Sequence, residues 1–97
     1  MKISIDEYSQ GLYKSVGGLI RVFLREDVGS IEEVIFTGDF FIFPDESLGL
    51  MADSLKGIAL EKERIEGILR EVYIREGIDS PGTTPEDFAK AVMTAAR

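Results

Sequence analysis

The sequence predicts an α+β domain: a small antiparallel sheet of about three strands followed by three helices packed on one face. Three observations predict it. Apolar residues alternate with a period of two through Ile20, Val22 and Leu24 in the first half. They recur at helical spacing through Ile65, Ile68, Leu69, Val72 and Tyr73 in the second. Near the end, Thr84 and Pro85 followed by Glu86 and Asp87 form a complete helix-start signal.

Taken in order, residues 11–16 suggest a first strand with few apolar positions, ending at the pair Gly17-Gly18. Residues 18–26 give the strand with the clearest alternation. Asp27-Val28-Gly29-Ser30 then supplies turn residues, and the β-branched and aromatic run 31–37 completes an antiparallel hairpin. After it, Pro44-Asp45-Glu46-Ser47 offers acidic and capping residues for a first helix that runs through Leu48, Met51, Ala52 and Leu55, with Lys56 and Gly57 as its stop. The second helix begins at Glu61, places Arg, Glu and Lys on the face opposite its apolar stripe, and ends at Gly77. Ser80-Pro81-Gly82-Thr83 turns the chain into the third helix, whose apolar face is Phe88, Ala91, Val92 and Ala95.

The bulk composition bounds the function. The 97 residues fit one domain spanning 1–97, and 44% hydrophobic content is enough to offset the entropy of ordering the chain. No apolar run approaches membrane-spanning length, and residues 1–7 lack a signal-peptide core, so the expected location is cytoplasmic. With no Cys and no His, the chain lacks thiolate nucleophiles, thiolate metal ligands and the one side chain that titrates near neutrality. A net charge of -7 disfavours binding to a phosphate backbone. A protein or small-ligand partner is expected instead of nucleic acid or membrane.

Two segments stand out as candidate sites. Thr37-Gly38-Asp39-Phe40-Phe41-Ile42-Phe43-Pro44 closes a strand with a Gly-Asp pair and then places three Phe within four residues. In one reading Gly38 makes a bulge or bend, Asp39 bonds nearby backbone amides, and the Phe residues fill the core. In the other, alternation leaves some of Phe40, Phe41 and Phe43 exposed as an interface anchor, with Asp39 orienting a partner group. The second segment is Lys14-Ser15-Val16-Gly17-Gly18, where the glycine pair makes either a simple turn or a place where backbone amides approach a partner closely. The carboxylates Glu61, Glu63, Glu66, Glu71 and Glu76 fall among basic residues, as on a solvated helix face, and no carboxylate pair has a metal or acid-base context.

The ordered set Lys14, Gly17-Gly18-Leu19-Ile20, Ile31 with Val34, Thr37-Gly38-Asp39-Phe40-Phe41, Pro44, Leu55-Lys56-Gly57 and Thr84-Pro85-Glu86-Asp87-Phe88 resembles the C-terminal domain of lipoate-protein ligases. The most specific part is Gly-Asp-Phe-Phe coupled to the downstream Leu-Lys-Gly. The resemblance implies a non-catalytic accessory domain, here a free-standing small subunit. It would form a heterodimer with a catalytic ligase subunit that binds lipoate and ATP, makes lipoyl-adenylate, and modifies lipoyl domains of 2-oxoacid dehydrogenase or glycine cleavage proteins. It also singles out Lys14, Gly17, Gly18, Gly38, Asp39, Phe40 and Phe41 as partner or ligand-site candidates. In strand-then-helix order the chain further resembles iron-sulfur scaffold proteins; without Cys no cluster can be held, which leaves a generic interaction module as the alternative.

Overall fold

A computed structural model describes residues 8–97; the reading of residues 1–7 lies outside them. The element order is β1 (Ser9–Ser15), β2 (Gly18–Asp27), β3 (Ser30–Asp39), α1 (Ser47–Ser54), α2 (Lys62–Glu76) and α3 (Pro85–Ala95). The strands form one antiparallel sheet in the order β1-β2-β3, so both connections are hairpins.

β1 starts two residues earlier than its sparse apolar pattern predicts. Its inward positions are Gly11, Tyr13 and Ser15, which give almost no hydrophobic signal. Gly11 is there because α3 comes close: a Cβ on it would lie 2.1 Å from Thr94 Oγ1. The β2–β3 turn has positive φ at both Val28 (46°) and Gly29 (78°), the twist-matched geometry of a two-residue hairpin.

Ile20, Val22 and Leu24 of β2 and Ile31, Val34 and Phe36 of β3 face the helices and are buried. Ile31 and Val34 are three residues apart, yet both point inward. A register shift opposite them, between Arg25 and Glu26, restores the phase. The expected irregularity at Gly38 is absent, because Gly38 pairs in register with Ile20.

α3 lies along β1 and β2, α1 lies against β3, and α2 packs on both helices. Together they bury Met51, Leu55, Ile65, Leu69, Val72, Phe88 and Val92 against the sheet residues in one core. Each such side chain stabilises the fold by about 1.5–3 kcal/mol relative to exposure.

The helix ends follow local chemistry. Thr84 accepts a hydrogen bond from the Asp87 amide while the Asp87 carboxylate accepts one from the Thr84 amide, a full capping box behind Pro85. Gly77 ends α2 in the left-handed conformation, φ 63°. α1 starts at Ser47, just ahead of its apolar repeat, but contrary to expectation its N-cap, Glu46, makes no side-chain cap. Ser47 is fully buried and its hydroxyl donates back to the Pro44 carbonyl at 2.6 Å, so it closes the preceding turn.

Candidate functional site

The two sequence-flagged segments meet at one end of the sheet. Strand pairing aligns Lys14 with Leu19 and Leu19 with Asp39, so Lys14, Leu19 and Asp39 form one cross-strand row on the sheet face away from the helices. Beside it, the β1–β2 turn at Val16-Gly17 abuts both the end of β3 and the turn before α3.

Glycine is required where these backbones touch. Gly18 has φ 140°, and a Cβ on it would fall 1.7 Å from the Asp39 carbonyl oxygen. A Cβ on Gly17 would fall 2.4 Å from the Pro81 carbonyl oxygen, while the Gly17 amide donates to the Gly82 carbonyl at 2.8 Å. Gly38 is pinned by its neighbours: the space for a Cβ is taken by the Leu19 carbonyl oxygen at 2.2 Å and the Phe40 ring at 2.4 Å.

A buried hydroxyl relay ties the same turns together. Ser15 Oγ donates to the Gly18 carbonyl at 2.7 Å, and Ser80 Oγ donates to the Thr83 carbonyl at 2.7 Å. Each hydroxyl has one hydrogen. Thr83 therefore donates in its 3.0 Å bond to Ser15, and Tyr73 donates in its 2.7 Å bond to Ser80. Burial pushes the Tyr73 phenol above its ordinary value, which keeps it in the donating form. Ser80 and Thr83 are not legible as site residues, and Ser15, inside a candidate segment, shows no local sign of its role, because the Ser15–Thr83 contact joins positions 68 residues apart.

The Phe cluster divides between the two readings. Phe40 packs edge-on against Phe88 and belongs with the core. Phe41 is 85% exposed and Phe43 69% exposed, and Val16 on the adjacent turn is 97% exposed. The Phe43 backbone exchanges two 2.8 Å hydrogen bonds with Asp79. Asp39 is exposed, and its carboxylate takes no backbone amide among the described residues, contrary to the packing expectation. Lys14 is likewise exposed.

The end of the sheet thus has a rigid base, built by Gly17, Gly18, Gly38 and Phe40. It presents outward the side chains of Lys14, Val16, Asp39 and Phe41. Nothing in this set supplies a nucleophile with a base. It offers an apolar contact flanked by one cation and one carboxylate, which suits recognition of another surface.

The model of the bacterial lipoate protein ligase C-terminus matches residues 8–92. The chain is 41% identical over 80 residues to lipoate-protein ligase A subunit 2 of Thermoplasma acidophilum, covering 82% of each. It also superposes on a chain from the solved structure of an archaeal lipoylation system of that organism, a bi-partite lipoate protein ligase with its E2 lipoyl domain. That match has a TM-score of 0.77 at 38% identity and covers 88% of this chain and 93% of the other.

Proposed function

The chain belongs to the bacterial lipoate protein ligase C-terminus family, and from that premise we propose that it is the accessory, non-catalytic subunit of a two-part lipoate-protein ligase. In this role it binds a catalytic ligase subunit and enables the ATP-dependent activation of lipoate to lipoyl-adenylate. One observation carries the reading: the similarity to a protein named as a second ligase subunit runs over 82% of both chains. Lipoate and ATP are bound by the partner, and the lipoyl domain is served through it. Residues 1–97 act as one cytoplasmic domain; among the described residues no helix is long and apolar enough to cross a membrane.

The physical contribution is a shift in population. A domain that docks more tightly on the activation-competent form of a catalytic subunit than on its open form raises the fraction of that form. A tenfold rise needs a difference of only about 1.4 kcal/mol in docking energy. Of the flagged residues, Gly17, Gly18, Gly38 and Phe40 build the platform, and Lys14, Asp39 and Phe41 meet the partner.

The test is lipoate-dependent pyrophosphate release by the catalytic ligase subunit of the same organism, with and without this chain. Release is expected only from the mixture. A catalytic subunit that adenylates lipoate equally well alone would overturn the proposal.

A further inference from the structure

The helices cover one face of the sheet, and the other carries four large apolar side chains among polar ones. Leu12, Leu19, Phe23 and Ile35 lie on the outer face, and none of them joins the core cluster. Leu12 is half exposed. An antiparallel sheet with one solvated face ordinarily alternates apolar inward and polar outward. Here the outward rows read Lys14–Leu19–Asp39, Leu12–Arg21–Thr37 and Gln10–Phe23–Ile35. The far end is closed by a polar cluster in which Arg25 lies 5.1 Å over the Tyr8 ring and both reach Glu33.

This face also carries cations without a carboxylate partner. Arg25, Lys56, Lys62, Arg70, Arg75 and Lys90 all pair with carboxylates. Lys14, Arg21, Arg64 and Arg97 pair with none among the described residues, although the chain as a whole has a net charge of -7, and of these four Lys14 and Arg21 lie on the outer face of the sheet. They sit on adjacent rows of the apolar face.

We propose that the helix-free face of the sheet, centred on Arg21 and flanked by Leu12, Phe23 and Ile35, docks the catalytic ligase subunit through an apolar surface bearing a carboxylate that Arg21 engages. This rests on the accessory-subunit reading above. Guanidinium suits the task, since it is weakly hydrated and forks onto a carboxylate. A second copy of this chain is disfavoured as the occupant. Arg21 lies on the central strand in the middle row, so a two-fold interface over this face would bring it toward its own symmetry mate.

Size extends the footprint. Three strands about 4.8 Å apart and about five residues long present only a few hundred Å². A specific interface buries roughly 800 Å² per partner. The contact therefore continues from the Lys14–Leu19–Asp39 row onto the sheet end, where Val16 and Phe41 are exposed.

The experiment is calorimetric titration of the whole chain, and of its Arg21→Glu, Leu12→Asp and Arg64→Glu variants, against the catalytic subunit. Melting followed by circular dichroism verifies each fold, and the chain alone is examined by sedimentation. Arg21→Glu and Leu12→Asp should each weaken binding roughly tenfold or more, and Arg64→Glu, on the outer surface of α2, should leave it unchanged. Wild-type chain that neither binds nor stimulates adenylation sinks the accessory reading and this proposal with it. If wild type binds while Arg21→Glu and Leu12→Asp, both folded, bind equally well, the face assignment alone fails. Sedimentation as a dimer that either variant dissociates gives the face to a second copy and likewise overturns the assignment.

Discussion

Phe40 and Phe88 meet edge to face, their ring centroids 5.4 Å apart and their planes at 82°. Phe36 approaches the same Phe88 ring at 5.3 Å and 79°, so the last helix is clasped by aromatics from the end of β3. The next residue, Phe41, points away from this cluster and is 85% exposed. Two adjacent phenylalanines should therefore respond oppositely to truncation. Phe40→Ala is expected to cost about 2–4 kcal/mol in denaturant unfolding. Phe41→Ala should stay within about 0.5 kcal/mol of wild type while weakening binding to the catalytic subunit. Equal stability losses for the two would show that Phe41 is packed.

Gly18 and Gly29 both have positive φ, and they separate two costs. Around Gly29 nothing lies within 4 Å of a built Cβ, so Gly29→Ala should cost only the left-handed backbone penalty, about 1 kcal/mol. At Gly18 the methyl would collide with the Asp39 carbonyl that strand pairing places there. Gly18→Ala should lose about 3 kcal/mol or more, or fail to fold. Chemical denaturation of the two variants side by side checks the contrast.

Val28 stands in the left-handed region with φ 46° and is fully exposed, so its β-branched side chain gains no packing to offset the strain. Asn tolerates this conformation and forms the favoured hairpin pair with the following Gly29. Val28→Asn should stabilise the protein by about 1 kcal/mol, which for a domain of this size raises Tm by about 4–8 °C. An unchanged or lower Tm would mean that Val28 serves something other than the turn.

What could be read from the sequence follows how local each determinant is. The capping box at Thr84, the left-handed stop at Gly77 and the alternation of β2 each depend on residues within one turn or strand, and all were legible. β1 was poorly legible because its inward residues, Gly11, Tyr13 and Ser15, are chosen by contacts with α3 and with the turn at Thr83. Pro44-Asp45-Glu46-Ser47 reads as a capping segment for α1, but Glu46 at the N-cap position makes no side-chain cap. The chain instead spends Pro44 to Ser47 on a turn that Ser47 closes. At the sheet end the Gly-Asp-Phe-Phe run flagged the right place. Its split into Phe40 inside and Phe41 outside depends on where Phe88 arrives from 48 positions along, and no local period records that.

α2 and α3 are joined at the surface by a charge cluster whose pH response can be signed. Glu66 accepts from Arg70 one helical turn later and from Lys62 at 3.4 Å, and Lys62 also reaches Glu86 of α3 at 3.0 Å. The hydrogen bond from Arg70, and then that from Lys62, hold the Glu66 carboxyl below its ordinary 4.5. A depressed carboxylate contributes stability that is complete above its unfolded value and is lost as pH falls through the folded one. The difference in Tm between wild type and Glu66→Gln should therefore be largest near neutrality and begin to close as pH falls below about 4.5. The Glu86 hydrogen bond raises Lys62 above its ordinary 10.5, so its contribution is complete below that value and fades only at more alkaline pH. Thermal melts of wild type, Glu66→Gln and Lys62→Met from about pH 3 to pH 7 at low ionic strength make the comparison. Lys62→Met should show a deficit that changes little across neutral pH and narrows on the acid side as its carboxylate partners protonate. A Glu66→Gln deficit that stayed constant through the acid range would mean that Glu66 stabilises the helix pair by packing and not by its charge.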